Sequence, residues 1–590
     1  MRKLIAALGA VGLLALPLPM HARAQQPTVL RVAITYDVDN LNPFLSITQA
    51  GTEIGRLMYD FLTAYDAKDQ HPVEALADRW EAAPDKLTWT FHLPDGKKWS
   101  DGEPIEATDV AYTYNLMMKD PTAATANGSF VANFESVTTP DDRTVVIKTK
   151  TPQSTMLALD VPIVPEHVWS KVGSLGEFQN NAPDTVGSGP FVLNEFRANE
   201  FVKLKANKNY WRGAPKYDEL HFVQYKTVDA ATQALSRGEV DLVNRLGSAQ
   251  FDSLRNNPDV ALNKARGRRF YEVVLNSGAA TKNGDPIGDG HPALRDVKVR
   301  QAVAKAIDLK TMVERVNGGY AELGTGPIPP VFPEFHFTPA QARPFDPAAA
   351  GSELDALGYR KGADGTRVGA DGKPLSFRLL GHAGRSYDEQ AAEFIKRSLA
   401  DVGVGVDVRF AKDDLLNESA NSGEFDLVFS SWGTNPDPDY ILSLHTCAQR
   451  PNADGKGGTT DTFFCDQTYD ALYAQQLSEL DRGKRAEIVK QMQQRFYDQV
   501  PAIVLSYENS LEAYRKDKFG GFEAQPQPGG VIMGQNGVWG YYSATPVSAS
   551  NGGSSNTTVV IIGAVVVVVL LGGGIWLIAQ RRRATAGERE

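Results

Sequence analysis

The chemistry-bearing residues of this chain gather in Ser431-Trp432-Gly433-Thr434-Asn435-Pro436-Asp437. An aromatic ring, a glycine that leaves its backbone accessible, and polar side chains two and four residues further on suit a site that holds a small solute. Trp432 reads equally well as pocket wall or as core, and Asp437 as ligand partner or as a turn residue before Pro438. Catalytic patterns are absent. The nine histidines are scattered, with no H-E-x-x-H and no Cys/His spacing suited to zinc. Gly187-Ser188-Gly189-Pro190 lacks the G-x-S-x-G of a nucleophile elbow, and it leads into a strand, so it is no dinucleotide fingerprint. It reads as a tight domain crossing that uses glycine's positive φ. There is no P-loop, no metal cluster and no cofactor motif, and the chain reads as a non-enzyme.

Elements that position these residues follow from periodicity. Leu375 to Leu380 reads as a strand, Ala391, Phe394, Ile395 and Leu399 as one helical face, and Val404, Val406, Val408 and Phe410 as an alternating strand. Phe425 to Ser430 is a further short strand. This succession implies parallel strands with helices on the faces, and solutes bind beyond the carboxyl ends of such strands. The Trp432 loop leaves one of those ends. Upstream, Leu30 to Ile34 reads as a strand followed by a turn at Asn40 to Pro43. Asp296 is placed to cap a helix that buries Val299, Ala302, Val303, Ala306 and Ile307.

Both ends carry targeting signals. Arg2 and Lys3, the apolar run Leu4 to Leu18 and Ala22-Arg23-Ala24 form a secretory signal peptide over 1–24. Val559 to Ala579 has 21 residues without charge. At about 1.5 Å per residue it spans roughly 30 Å, the hydrocarbon thickness of a bilayer. Arg581, Arg582 and Arg583 follow, placing the tail (580–590) in the cytoplasm and the N-terminal region outside. Residues 546–558 have the small polar composition of a tether. The formal charge is −10, and removing the basic leader and tail leaves about −15 outside, which argues against nucleic-acid binding. Cys447 and Cys465 are the two cysteines. In an oxidising compartment they favour a disulfide over free thiols or a metal pair.

The stretch Ala75 to Asn115 contains a strand with Leu87, Trp89, Phe91 and Leu93 on one face. Turns follow at Pro94-Asp95-Gly96 and Asp101-Gly102, and then a helix that Thr108 can cap, with Val110, Tyr114, Met117 and Met118 on one side. Read as a string, Leu76, Ala77, Trp80, Phe91, Leu93, Trp99, Asp101, Gly102, Pro104, Ala107, Asp109 and Val110 closely resemble the signature of the peptide-binding family (family 5) of ABC-importer solute receptors. Gly187 to Phe191, Asn207 to Trp211, Leu235 to Asp241 and His291 to Asp308 also match. One departure is Pro94, where a basic residue is usual.

The resemblance implies an α/β, two-lobed periplasmic-binding-protein-like fold with an extra domain inserted in the first lobe, here joined to one C-terminal transmembrane helix. Lobe I would comprise 26–72, 186–268 and 500–545, the insertion 73–185 and lobe II 269–499, with crossings near Gly267 and Pro501. It also implies a receptor that captures a peptide or peptide-like solute between its lobes, as a monomer, and delivers it to permease and ATPase subunits on other chains. Non-peptide solutes (oligosaccharide, opine, metal chelate) and an adhesion or sensing ectodomain are the alternatives. Relatives place W-x-x-D at the Trp432 loop, the backbone beside the Trp pairing with the peptide and the Asp binding its ammonium. The implied contacts are therefore Trp432, Gly433 and Asn435, with Asp437 as substitute acid, and Ile47, Thr48 and Gln49 from the loop after Leu41-Asn42-Pro43. Asn435 stands where the Asp is usual, so it offers a hydrogen bond without charge assistance.

Overall fold

The computed structural model describes residues 26–183, 185–454 and 457–547. The expected signal peptide at 1–24, span at 559–579, tail and tether beyond 547 lie outside the described residues. Among the described residues no helix is long and apolar enough to cross a membrane.

Strand β1 (Val29–Ile34) buries Leu30, Val32, Ala33 and Ile34. After the turn at Asn42, helix α1 (Gln49–Met58) starts at Thr48, whose hydroxyl accepts the Gly51 N–H and donates to Asp39 at 2.6 Å. A separate antiparallel sheet follows, formed by β2 (Arg79–Ala82), β3 (Thr88–His92), β4 (Phe134–Asp141) and β5 (Thr144–Thr149) in the order β2-β3-β5-β4. Trp89 and Phe91 alternate inward from β3, as their spacing predicts. Helix α2 (Ala107–Lys119) covers this sheet with Val110, Tyr114 and Met117. Its cap differs from the expected Thr108. The cap is Glu106 and the helix begins two residues earlier, and the buried Asp109 carboxylate accepts the Glu106 N–H (3.0 Å), the Trp99 indole N–H (3.1 Å) and the Glu166 N–H (2.8 Å). Trp99, Asp109 and the chain near Glu166 are thereby tied together.

The glycine-rich crossing works through close approach, not positive φ. A Cβ on Gly187 would lie 2.2 Å from the Met58 carbonyl oxygen, and one on Gly189 2.4 Å from that of Leu57. Only glycine lets this segment seat against the end of α1.

The main sheet has eleven strands. They are β1, β6 (Phe191–Arg197), β7 (Phe201–Ala206), β8 (Glu219–Gln224), β9 (Leu242–Val243), β10 (Val260–Leu275), β11 (Ala321–Leu323), β12 (Ser376–His382), β13 (Gly405–Ala411), β14 (Leu427–Gly433) and β15 (Ala502–Arg515). The order is β13-β12-β14-β10-β15-β9-β1-β8-β7-β6, with β11 beside β15. As periodicity predicts, β12 pairs in parallel with both β13 and β14, and α3 (Ser386–Asp401) buries Ala391, Ile395 and Leu399 against them.

Two long strands, β10 and β15, pair over most of their length. Their antiparallel ladder breaks between Arg266 and Phe270, opposite Tyr507 to Asn509. On one side Val260, Leu511 and Ala513 pack with Leu235 and Leu254. On the other, Val273, Leu275, Ile503 and Leu505 pack with Phe377, Leu379 and Ile395. The chain therefore crosses between two cores at these breaks. Gly267 lies at the first. The second falls at Tyr507 to Asn509 and not near Pro501, because Ala502 to Val504 still pair with Glu272 to Val274. Cys447 and Cys465 are joined in a disulfide.

Candidate functional site

A cavity of about 680 Å³ opens where the two cores meet. Its floor is the crossing itself, Arg266 to Arg269 on β10 and Glu508 to Leu511 on β15. One wall comes from the end of β14 and the loop after it, through Ser431, Gly433 and Asn435. The facing wall is Met533 to Asn536, held by two buried carboxylates. Glu512 accepts the N–H groups of Ile532 and Met533, both at 2.8 Å, and Glu53 accepts the Gly534 N–H and the Tyr541 hydroxyl.

Burial raises the Glu512 carboxyl to about 7, against the pull of the Ile532, Met533 and Asn263 donors. A carboxyl raised in the folded state stabilises below its unfolded value, near 4.3, and loses that contribution as pH climbs through the folded value. Thermal stability should fall as pH rises from about 5 to 8. Glu512→Gln should flatten that part of the profile. An unchanged slope in the variant would assign the pH dependence to another group.

The parity of β14 decides the fate of its residues. Leu427 and Phe429 face one core, while Val428 and Trp432 face the other. Ser431 and Gly433 reach the cavity, and the Trp432 side chain does not line it. Its indole N–H donates to Asp461 at 3.0 Å, and Ser430 donates to the same oxygen. Trp432 thus anchors the strand from behind, which corrects its expected role as the wall. Trp432→Ala should cost about 2–3 kcal/mol of stability through lost burial and the broken Asp461 bond. Loss of solute affinity at unchanged stability would contradict this placement.

Gly433 lies on the cavity wall. Thr434 N–H donates to the Arg268 carbonyl at 2.8 Å, so Gly433 and Arg269 form a non-hydrogen-bonded pair. The Gly433 N–H and C=O therefore point away from β10. Asn435 is exposed on the cavity wall, with its carboxamide oxygen 3.5 Å from the Asn536 amide across the opening. Asp437 is occupied elsewhere. It makes a bidentate pair with Arg485 of α4 (Arg482–Gln499), at 2.5 and 2.8 Å. Burial pushes the Asp437 carboxyl up, but Arg485 overrides this and holds it below its usual value. Asp437 is thus a structural ion pair and no substitute acid for a solute. Of Ile47, Thr48 and Gln49, only Gln49 lines the cavity, where Arg245 donates to its side chain. Ile47 is exposed, and Thr48 serves as the helix cap.

Sequence reasoning overlooked the arginines. Arg245, Arg266, Arg268, Arg269 and Arg385 line the cavity together with one carboxylate, Glu508. The run Arg266-Gly267-Arg268-Arg269 was the available signal, since Gly267 already marked a crossing. A second chamber of about 360 Å³ adjoins the first and shares Gln70, Arg266, Val331, Phe332 and Pro526 with it.

Comparison with known proteins places this geometry. The family described as "Bacterial extracellular solute-binding proteins, family 5 Middle" matches residues 71–452. A putative ABC transporter peptide-binding protein of Brucella ovis is 28% identical over 443 residues, covering 72% of this chain and 78% of that protein. Among solved structures, the oligopeptide-binding protein AppA of Bacillus subtilis in complex with a nonapeptide superposes with a TM-score of 0.68 at 21% identity, covering 89% of this chain and 100% of that one. NikZ of Campylobacter jejuni in complex with Ni(L-His) gives a TM-score of 0.71 at 20% identity, covering 88% and 99%. These likenesses show a two-lobed, periplasmic-binding-protein-like α/β fold, with the cavity between the lobes.

Proposed function

We propose, from the premise that this chain belongs to the bacterial extracellular solute-binding proteins of family 5, that it is the receptor of an ABC importer. It captures a peptide or peptide-like solute between its lobes and delivers it to a permease and ATPase on other chains. The observation that carries this reading is the interlobe cavity built on a two-strand crossing, with the outward-facing backbone of Gly433 on its wall. An extended peptide can add to such an edge through main-chain hydrogen bonds, while neighbouring side chains select it. Asn435 and Gln49 supply polar contacts from opposite lobes. The peptide-binding relatives support a peptide over the non-peptide solutes.

In this reading lobe I comprises 26–72, 186–268 and the chain from about 509 to 545, with 73–185 inserted and lobe II between. The protein acts as a monomer. The signal peptide and the helix at 559–579 tether it by a single pass, with the ectodomain outside. Protease added to intact cells should remove the ectodomain and spare a C-terminal tag, and a protected ectodomain would contradict this topology. Native mass spectrometry of the full chain extracted from membranes tests the receptor reading. Retained peptide-like solute, exchangeable with added peptides, is the expected result. Protein that is empty and takes up no peptide would overturn it.

A further inference from the structure

The charge of the cavity is opposite to that of the chain. The protein carries a formal charge of −10, yet its interlobe cavity presents five arginines and a single carboxylate. Two of the arginines are neutralised, Arg266 by Glu322 at 2.9 Å and Arg385 by Asp413 at 2.8 Å. The other three make no ion pair among the described residues. Arg245 lies over the Tyr36 ring and donates to Gln49. Arg268 donates to the Asn536 side-chain oxygen at 2.7 Å, and Arg269 to the Ser431 hydroxyl at 3.0 Å. Each of these acceptors is neutral, so three guanidinium groups face the cavity with no carboxylate in ion-pair contact.

Arg268 shows what this arrangement costs. Burial, reinforced by Arg56, drives its pKa down to about 10 against the opposing pull of Glu53 and Asp160. A cation held this way is destabilised until an anion joins it. Guanidinium forks match carboxylate geometry with two parallel hydrogen bonds. Glu508 faces Arg269 and Tyr271 from the crossing. It supplies one negative charge to the floor, fewer than the arginines without an ion pair.

The adjoining chamber is more apolar. Pro330, Phe332, Pro333, Phe335 and Pro528 line it beside the charged Lys68, Asp69, Glu334 and Arg482, and it shares Phe332 and Pro526 with the first. An elongated molecule that reaches both can pair a carboxylate with the arginines and lay an apolar portion against these prolines and phenylalanines.

We propose that the solute is an elongated molecule carrying a carboxylate beyond any it would share with every peptide, seated at Arg245, Arg268 and Arg269, with an apolar portion over Pro330 to Phe335. This specifies the solute of the receptor reading and rests on it: the expected ligand is an acidic peptide with an apolar or proline-containing end. The same chemistry is available to a non-peptide fatty carboxylate, so the test separates the two.

The full chain, immobilised through a C-terminal tag, is equilibrated with a casein hydrolysate and, separately, with an equimolar mixture of octanoate and octanamide. Retained compounds are quantified by mass spectrometry at low and at high salt. Peptides bearing Asp or Glu should be enriched at least about fivefold over neutral peptides of similar length, with cationic peptides depleted. The enrichment should shrink at high salt and should disappear in Arg268→Gln. Arg269 is exposed, so Arg269→Gln provides a second variant expected to fold normally, and it should lose most of the enrichment as well. Peptides retained with the charge distribution of the input would overturn the proposal and leave the peptide receptor standing. Retention of octanoate over octanamide with no peptide retained would overturn the peptide reading and support the cationic, carboxylate-binding pocket. Retention of nothing from either mixture would overturn both.

Discussion

Arg485→Met should destabilise the protein by about 3–5 kcal/mol, the cost of leaving a buried carboxylate without its cation. Arg485 is 3% exposed and donates to both oxygens of Asp437 and to the Gln476 carbonyl oxygen of its side chain. Asp439 lies close by, with its carboxyl pushed up to about 6 by burial and then by Asp437. Without Arg485 the two carboxylates would repel one another in a poorly hydrated site. The wild-type pair contributes stability above the ordinary Asp value, and that contribution is lost as pH falls through the depressed value of Asp437. The variant lacks the contribution, so its deficit should be largest near pH 7 and should narrow towards pH 4–5 as the orphaned carboxyl takes a proton. Urea unfolding at the two pH values measures this. The double variant Asp437→Leu/Arg485→Met should recover most of the loss, because an apolar pair leaves no charge unpaired. A single variant as stable as wild type at pH 7 would show that the pair does not fix the loop carrying Asn435.

The second large effect belongs to Gly267. A Cβ at this position would lie 2.0 Å from the Glu508 carbonyl oxygen and 3.5 Å from the Ser510 nitrogen. Both contacts are backbone, so no side chain can swing aside and the two crossing strands must separate. Gly267→Ala should cost roughly 3 kcal/mol, at the upper end of overpacking. It should also weaken solute binding at least about tenfold, because it pries apart the two strands that floor the cavity. Gly55→Ala in α1, where an added Cβ meets nothing within 4 Å, is the contrasting substitution and should be neutral or slightly stabilising. Unfolding curves and calorimetry on both variants separate the effects. Equal behaviour of the two would remove Gly267 from the crossing mechanism.

These two sites also show what a single sequence makes legible. Period-2 alternation in Thr88 to His92 and the strand–helix–strand succession from Leu375 to Ser430 fix local elements, because burial of one face is written in neighbouring residues. Gly433, Asn435 and Gln49 reach the cavity. Trp432 does not, and the reason lies in parity. Phe429 and Gly433 share one face of β14, so the intervening Trp432 must occupy the other. The partner of Asp437 stands in a helix far along the chain, with no local pattern linking the two. The cationic floor was hidden by the acidic total, because a net charge averages over surfaces that folding separates. The second strand crossing was misplaced because Ala502 to Asn509 forms one continuous strand, and a ladder break leaves no mark in composition.

The central claim is that a solute closes the lobes about the crossing of β10 and β15. Spin labels at Asp229→Cys in lobe I and Glu393→Cys in lobe II, both at exposed positions, allow the interlobe distance to be measured by double electron–electron resonance in the full chain, since the native cysteines are bonded to each other. Stripped protein should give a broad distribution that shortens and narrows when casein hydrolysate is added, and the Gly267→Ala background should resist that change. A distribution unmoved by solute that demonstrably binds would contradict the account.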